Sequence, residues 1–130
     1  MKHLLFLLMT ISIAWAAPIQ AEQINARSIY VIDGDTIDIN GARYRLVGFD
    51  TPETYRPQCD YEKALGNQAT ARLKQLINGI AIIDLAVQPG RDKYGRGLAR
   101  MFVGGRDVGT TLINEGLARA YSGGRRTSWC

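Results

Sequence analysis

Between positions 28 and 49 short apolar runs alternate with polar positions and are broken by turn dipeptides. Residues 28–32 and 36–39 are β-branched runs joined across Asp33-Gly34, and Asn40-Gly41 then turns the chain into 42–49. Asp-Gly and Asn-Gly between apolar runs signal hairpins, because these residues accept the positive φ that tight turns require. Three antiparallel strands in a meander are therefore predicted. Residues 50–60 hold Pro52 and Pro57 and form a loop. From 61 to 77 the period changes: Leu65, Ala69, Leu73 and Leu76 recur at helical spacing, with Asp60 placed to cap the helix and Gly79 to stop it. Gly66 weakens the first turn, so the regular helix is expected to begin there. Beyond it the pattern predicts a strand over 80–87, a polar loop over 88–96 and a strand over 97–103 that turns at Gly104-Gly105. A short helix over 108–115, ended by Gly116, and an extended piece over 117–121 complete the pattern. Five short strands with a helix between the third and fourth predict a small Greek-key β-barrel of the OB type, an α+β fold. An open antiparallel sheet with one packed helix has the same strand count.

The beginning of the chain reads differently. Lys2 and His3 precede an uncharged stretch over 4–17, followed by small residues with cleavage positions after Ala16 or Ala21, which is the layout of a secretory signal. An uncleaved anchor of about 20 residues is the other reading. With a signal over 1–21, residues 22–130 form one domain, secreted to a periplasm or the exterior, monomeric and without stable membrane association. No repeat appears, and the Gly-, Ser- and Arg-rich stretch 122–130 is expected to be loosely ordered. The formal net charge of +4 falls to +3 once Lys2 is gone, which suits an anionic partner such as DNA or RNA.

Two absences narrow the chemistry. His3 is the only histidine, so 22–130 contains none, which excludes Ser-His-Asp and Cys-His catalysis and any His general base. Cys59 and Cys130 are the only cysteines, too few for a structural zinc site. In an oxidising compartment they read as one disulfide, with free thiols or an intermolecular bridge as the alternatives.

Three segments carry the remaining candidates: Asp33-Gly34-Asp35-Thr36, then Arg45 with Asp50-Thr51-Pro52-Glu53, then Asp92-Lys93-Tyr94-Gly95-Arg96-Gly97-Leu98-Ala99. Each alone has an ordinary reading as a turn, a helix entry or a basic loop, and Arg45 could be a surface arginine lying along its strand. An EF-hand fails, because the run from Asp33 to Asp38 lacks the sixth-position glycine. In order and together, the segments resemble the staphylococcal nuclease (thermonuclease, micrococcal-nuclease-like) family over roughly 29–121.

That resemblance implies an OB-fold barrel with helices packed outside, and a Ca²⁺-dependent nuclease of broad sugar specificity that leaves the phosphate on the 3′ side. It places Asp35, Asp50 and the backbone carbonyl of Thr51 at a Ca²⁺ ion, where hard oxygen donors belong, and Asp33 behind them. Glu53 becomes the general base, and Arg45 and Arg96 become guanidinium clamps on the phosphoryl group. Lys93 and Tyr94 resemble residues that contact a terminal phosphate. Tyr121 resembles a tyrosine near the base, although 116–121 runs one residue short of the family pattern. Arg125, Arg126 and a Cys59 to Cys130 bridge are expected to lock the barrel after Tyr121. A barrel that merely holds nucleic acid or protein is the alternative function.

Overall fold

The computed structural model describes residues 11–14 and 21–130. Most of the expected signal lies outside the described residues, and among those described no helix is long and apolar enough to cross a membrane. The strands are β1 (Glu22–Asn25), β2 (Ile29–Asp33), β3 (Thr36–Ile39), β4 (Ala42–Leu46), β5 (Gly48–Asp50), β6 (Ile82–Arg91), β7 (Gly97–Val103), β8 (Arg106–Asp107) and β9 (Arg119–Tyr121). Two helices, α1 (Asp60–Ile77) and α2 (Val108–Asn114), and one 3-10 turn (Ala26–Ser28) accompany them.

The main sheet runs β1-β6-β7-β4-β3-β2, with β8 added to β7, and β5 pairs β9 in a separate ribbon. The sheet curls into a half-barrel with two helices, an OB-like α+β architecture. The predicted meander is β2, β3 and β4, antiparallel throughout and registered by Val31 opposite Ile37 and Ile37 opposite Tyr44. A long crossover through α1 brings β7 back parallel to β4, with Arg45 opposite Leu98.

The tertiary structure departs from the sequence pattern at four places. The run 42–49 is two strands, because Gly48 at φ 94° breaks it and sends Phe49 and Asp50 toward β9. The polar stretch 88–91 continues β6, since pairing of Gln88 with Leu98 and Arg91 with Gly97 satisfies its backbone around a bulge. β1 adds an unpredicted strand, held to the outer edge of β6. Lastly, α1 begins at Asp60 with Cys59 as N-cap, its Sγ accepting from the Glu62 N–H at 3.5 Å, and Gly66 lies well inside the helix.

The buried stripe of α1 is Glu62, Gly66, Ala69, Leu73 and Ile77, leaving Leu65 and Leu76 half-buried. Leu73 meets a core that includes Ile37, Leu46, Ile83, Leu85 and Met101. α2 adds Val108 and Leu112, and Phe49 packs against Gly109, where a β-carbon would collide with its ring. The two anomalous members of the α1 stripe, an acid and a glycine, face the loop 51–59.

Candidate active site

The hairpin between β2 and β3 places Asp35 in the turn immediately before β3, its N–H held by Asp33 Oδ1 at 3.1 Å. Leu46 N–H donates to the Asp35 carbonyl at 2.8 Å, drawing the end of β4 against the hairpin. Asp50 closes β5, and Thr51 follows with its N–H on Asp35 Oδ2 at 3.1 Å. The hydrogen bonds of Leu46 and Thr51 to Asp35 thus bring together carboxylates fifteen positions apart in sequence.

Arg45 joins them. Its Nη1 donates to the Leu46 carbonyl at 2.7 Å and lies 3.0 Å from Asp35 Oδ2, while Nη2 donates to the Phe49 carbonyl at 3.0 Å and reaches Asp50 Oδ1 at 3.4 Å. Only 7% of Arg45, 7% of Asp35 and 6% of Asp50 is exposed, so the arginine lies within the fold. Its fork is occupied by protein oxygens. Arg45 consequently presents a fixed positive charge along the cleft, in place of the open two-pronged clamp expected from its residue type.

Charge is in excess on the acidic side. Burial, followed by the Asp35 charge and hydrogen bonding with Asp35, pushes Asp33 up to about 7. Burial also raises Asp50 against the Arg126 and Arg45 charges, with Asp35 and Glu53 adding to the rise. Asp50 is thus raised even with Arg45 and Arg126 close by, and hard carboxylate oxygens so placed suit a divalent cation bound by few protein ligands and completed by water. Among the described residues no cluster of three or more His, Cys, Asp or Glu side chains could hold a metal by itself. The donor set fits a weakly held hard ion that leaves positions open.

Glu53 stands at the rim, its side chain 45% exposed, with Oε1 accepting from Arg126 Nη1 at 2.7 Å. Arg126 Nε lies 3.5 Å from Asp50 Oδ1, linking the rim to the buried pair. Arg96 is held from the other side: Asp92 accepts from its Nε at 2.6 Å and from its N–H at 2.9 Å, and its Nη1 reaches Thr36 Oγ1 at 3.4 Å. Thr36 in turn donates to Asp35 Oδ1 at 3.2 Å. Arg45, Arg96 and Arg126 line one cleft of about 770 Å³ together with Lys93, Tyr94 and Tyr121. Tyr94 is largely exposed, with Lys93 Nζ 5.1 Å and the Arg96 guanidinium 5.3 Å from its ring centre.

The structure thus places Arg45, Arg96, Lys93, Tyr94 and Tyr121 on one cleft and joins Asp35, Asp50 and Glu53 to it through Arg45 and Arg126. Two residues that sequence reasoning assigned no chemistry also belong there. Glu62, almost wholly buried, accepts from the Gln58 N–H at 2.6 Å and the Glu53 N–H at 3.4 Å, so it organises the loop that carries Glu53. An acid in a first helical turn reads as an ordinary dipole partner, so no sequence signal distinguishes it. Arg126 sits in a stretch whose composition suggests loose order. Only the bridge between Cys59 and Cys130, which the structure forms with 6.1 Å between the Cα atoms, indicates that this stretch returns to the site.

An OB-like domain with an acidic pair, a rim glutamate and converging arginines at the open face of its sheet defines the class. Residues 43–128 match the family model described as staphylococcal nuclease homologue. The chain is 42% identical over 107 residues to endonuclease YncB of Bacillus subtilis (strain 168), covering 77% of this chain and 49% of that protein. It is 43% identical over 95 residues to the SPbeta prophage-derived endonuclease YokF of the same organism, covering 68% and 31% respectively. To the thermonuclease of Staphylococcus intermedius it is 42% identical over 97 residues, covering 69% and 55%. The chain belongs to the staphylococcal nuclease homologue family. It spans about half or less of the length of these relatives. Asp33 and Asp35 precede the matched span; Asp35 joins the site through its contacts with Arg45 and Thr51, and Asp33 stands behind it, accepting from the Asp35 N–H.

Proposed function

We propose that this domain is a metal-dependent nuclease that hydrolyses phosphodiester bonds of DNA, RNA or both with little sequence preference, using Ca²⁺ and leaving 3′-phosphate ends. The observation that carries the reading is that Asp35, Asp50 and Glu53 are joined by direct contacts to Arg45 and Arg126, two of the arginines that line the open cleft beside Lys93, Tyr94 and Tyr121. Two of the relatives bear the name endonuclease, which favours internal cleavage. The disulfide is consistent with secretion.

Phosphodiester hydrolysis gathers negative charge on five-coordinate phosphorus, so the site must supply fixed positive charge and a proton acceptor. A hard cation held by Asp35, Asp50 and the Thr51 carbonyl would act as Lewis acid toward a phosphoryl oxygen. Glu53, at the solvent rim, takes the proton of the attacking water. Arg96, oriented through its Nε by Asp92, presents its Nη groups to the phosphoryl oxygens. Arg45 supplies charge from beneath. Lys93 and Tyr94 hold a neighbouring phosphate at the exposed lip, and Tyr121 lines the cleft where a base can stack.

The test is degradation of plasmid DNA and of RNA with Ca²⁺ and with chelator. Cleavage of at least one substrate that stops in chelator is expected. Persistent cleavage in chelator would remove the metal role, and binding without cleavage under either condition would make the domain a nucleic-acid-binding module.

A further inference from the structure

Residues 122–130 contact the site repeatedly. The segment leaves β9 at Tyr121, turns through Gly123 (φ 104°) and Gly124 (φ 86°), and is closed on itself by the Tyr121 hydroxyl donating to the Gly124 carbonyl at 2.7 Å. Arg119 then fastens its far half. The guanidinium lies 3.7 Å from the centre of the Trp129 ring, and Nη1 donates to the Thr127 carbonyl at 3.3 Å and the Ser128 carbonyl at 3.0 Å. Ser128 Oγ donates to Gln58 Oε1 at 3.2 Å, and Cys130 is bonded to Cys59 at the foot of α1. Fixed at β9, at Arg119 and at the loop 51–59, the backbone crosses the open face of the site as a strap.

From these contacts we propose that the strap delivers Arg126 to Glu53, and that Arg126 is a positioning residue of the active site. The inference rests on the reading of Glu53 as the base. Among the described residues Arg126 is the only side chain that hydrogen-bonds the Glu53 carboxylate, at 2.7 Å. A rim glutamate with nearly half its side chain in water has many rotamers, and only some aim its oxygens at the cleft. Arg126 selects among them by contacting Glu53 through Nη1 while its Nε faces Asp50 at 3.5 Å, which sets the base relative to the acidic pair. A long arginine can do so only if its own backbone is fixed, and that is what the strap provides.

The experiment is a cycle of Arg126→Ala, the paired change Cys59→Ser with Cys130→Ser, and their combination, assayed for kcat and KM on DNA with Ca²⁺. Serine at 59 retains a capping side chain for α1. Each arm is expected to lower kcat by roughly tenfold or more, up to about 10²-fold, the scale of a group displaced by about 1 Å, with KM within about twofold. The combination should do no worse than either arm, because both remove one interaction. Arg126→Lys should recover part of kcat, since an ammonium can meet Glu53 without spanning to Asp50, and Arg125→Ala should match the wild type. A KM rise at constant kcat would make Arg126 a substrate contact, a kcat rise would make it a brake, and additive losses would mean the strap does not deliver it. Any of these overturns the proposal.

NMR supplies a readout independent of turnover. A slowly exchanging Arg126 guanidinium resonance, assigned by its disappearance in Arg126→Lys, should be present in the wild type, where Nη1 donates to Glu53, and lost when the bridge is removed. Its persistence without the bridge overturns the strap. Absence of cleavage by the wild type would refute the nuclease reading and with it any role of Arg126 in turnover, while the resonance still decides whether the strap holds the arginine.

Discussion

Glu53 is chemically the most exposed of the acidic residues at the site, and Arg45 the most enclosed of the basic ones, which sets the expected result of changing each. Glu53→Gln retains the shape of the loop and removes the proton acceptor, so turnover on DNA should fall by roughly 10² or more with the urea midpoint little altered. Near-normal turnover would take Glu53 out of the mechanism. Arg96→Lys keeps the charge but loses the Nε anchored by Asp92 and the planar fork, and should lower kcat by about 10² to 10³. Arg45 belongs to the fold as much as to the chemistry. Arg45→Ala leaves Asp35 and Asp50 buried without their shared cation, an uncompensated arrangement that should cost on the order of 3 kcal/mol in urea unfolding with chelator present. A loss under about 1 kcal/mol would mean that water already screens the pair.

At the scale of elements, α1 and the loop 51–59 are positioned by a contact that helix propensity opposes. Glycine inside a helix is unfavourable by about 1 kcal/mol relative to alanine, yet at Gly66 a β-carbon would stand 2.6 Å from the Pro52 carbonyl oxygen and 3.0 Å from Thr54 Cγ2. The loop that carries Glu53 therefore passes directly over the helix backbone, pinned there by Glu62. Gly66→Ala should gain helix propensity and still lower the thermal midpoint, because the nearest obstacle is backbone and cannot rotate away. It should also lower kcat, since Pro52 and Glu53 must lift together. An unchanged kcat would show that the height of the loop over α1 does not set the base.

For the molecule as a whole, one cross-link and a few charge pairs set the response to conditions. The bridge between Cys59 and Cys130 spans a sequence separation of 71, and in the chain-entropy model its loss costs on the order of 4 kcal/mol. Reduction should lower the urea midpoint accordingly; an unchanged midpoint would confine the bridge to the strap. Acid acts through other residues. Asp92 is raised by burial but more strongly lowered by hydrogen bonds from the Arg96 side chain and from the Arg96 and Tyr94 N–H groups. Hydrogen bonding to Arg43 and Arg72 holds Asp38 and Glu115 below their usual range. As pH falls the unfolded chain takes up these protons first, so the stability they contribute is complete above about pH 5 and lost as pH drops through the lower folded values. Arg72→Gln, which removes the partner of Glu115, should therefore reduce the fall in urea midpoint between about pH 5 and pH 3. An equal fall in both proteins would show that the pair does not contribute.

Much of this was already determined by local sequence. The meander from Ile29 to Leu46 follows from turn chemistry at Asp33-Gly34 and Asn40-Gly41 and the helix over 61–77 from its period, whereas Asp35, Arg45, Asp50, Glu53 and Arg96 stand out as candidates only because, in order and together, they resemble the family. What depends on neighbours distant in sequence was not. The break at Gly48, the extension of β6 through its polar end and the added β1 exist because partner strands satisfy backbone that local pattern leaves open. Gly66 reads as a flaw until Pro52 lies on it, and Glu62 as a surface acid until the loop hydrogen-bonds to it. Arg126 becomes part of the site only when β9, Arg119 and the bridge carry it there, because the placement of a side chain 73 positions from Glu53 is decided by packing and not by spacing.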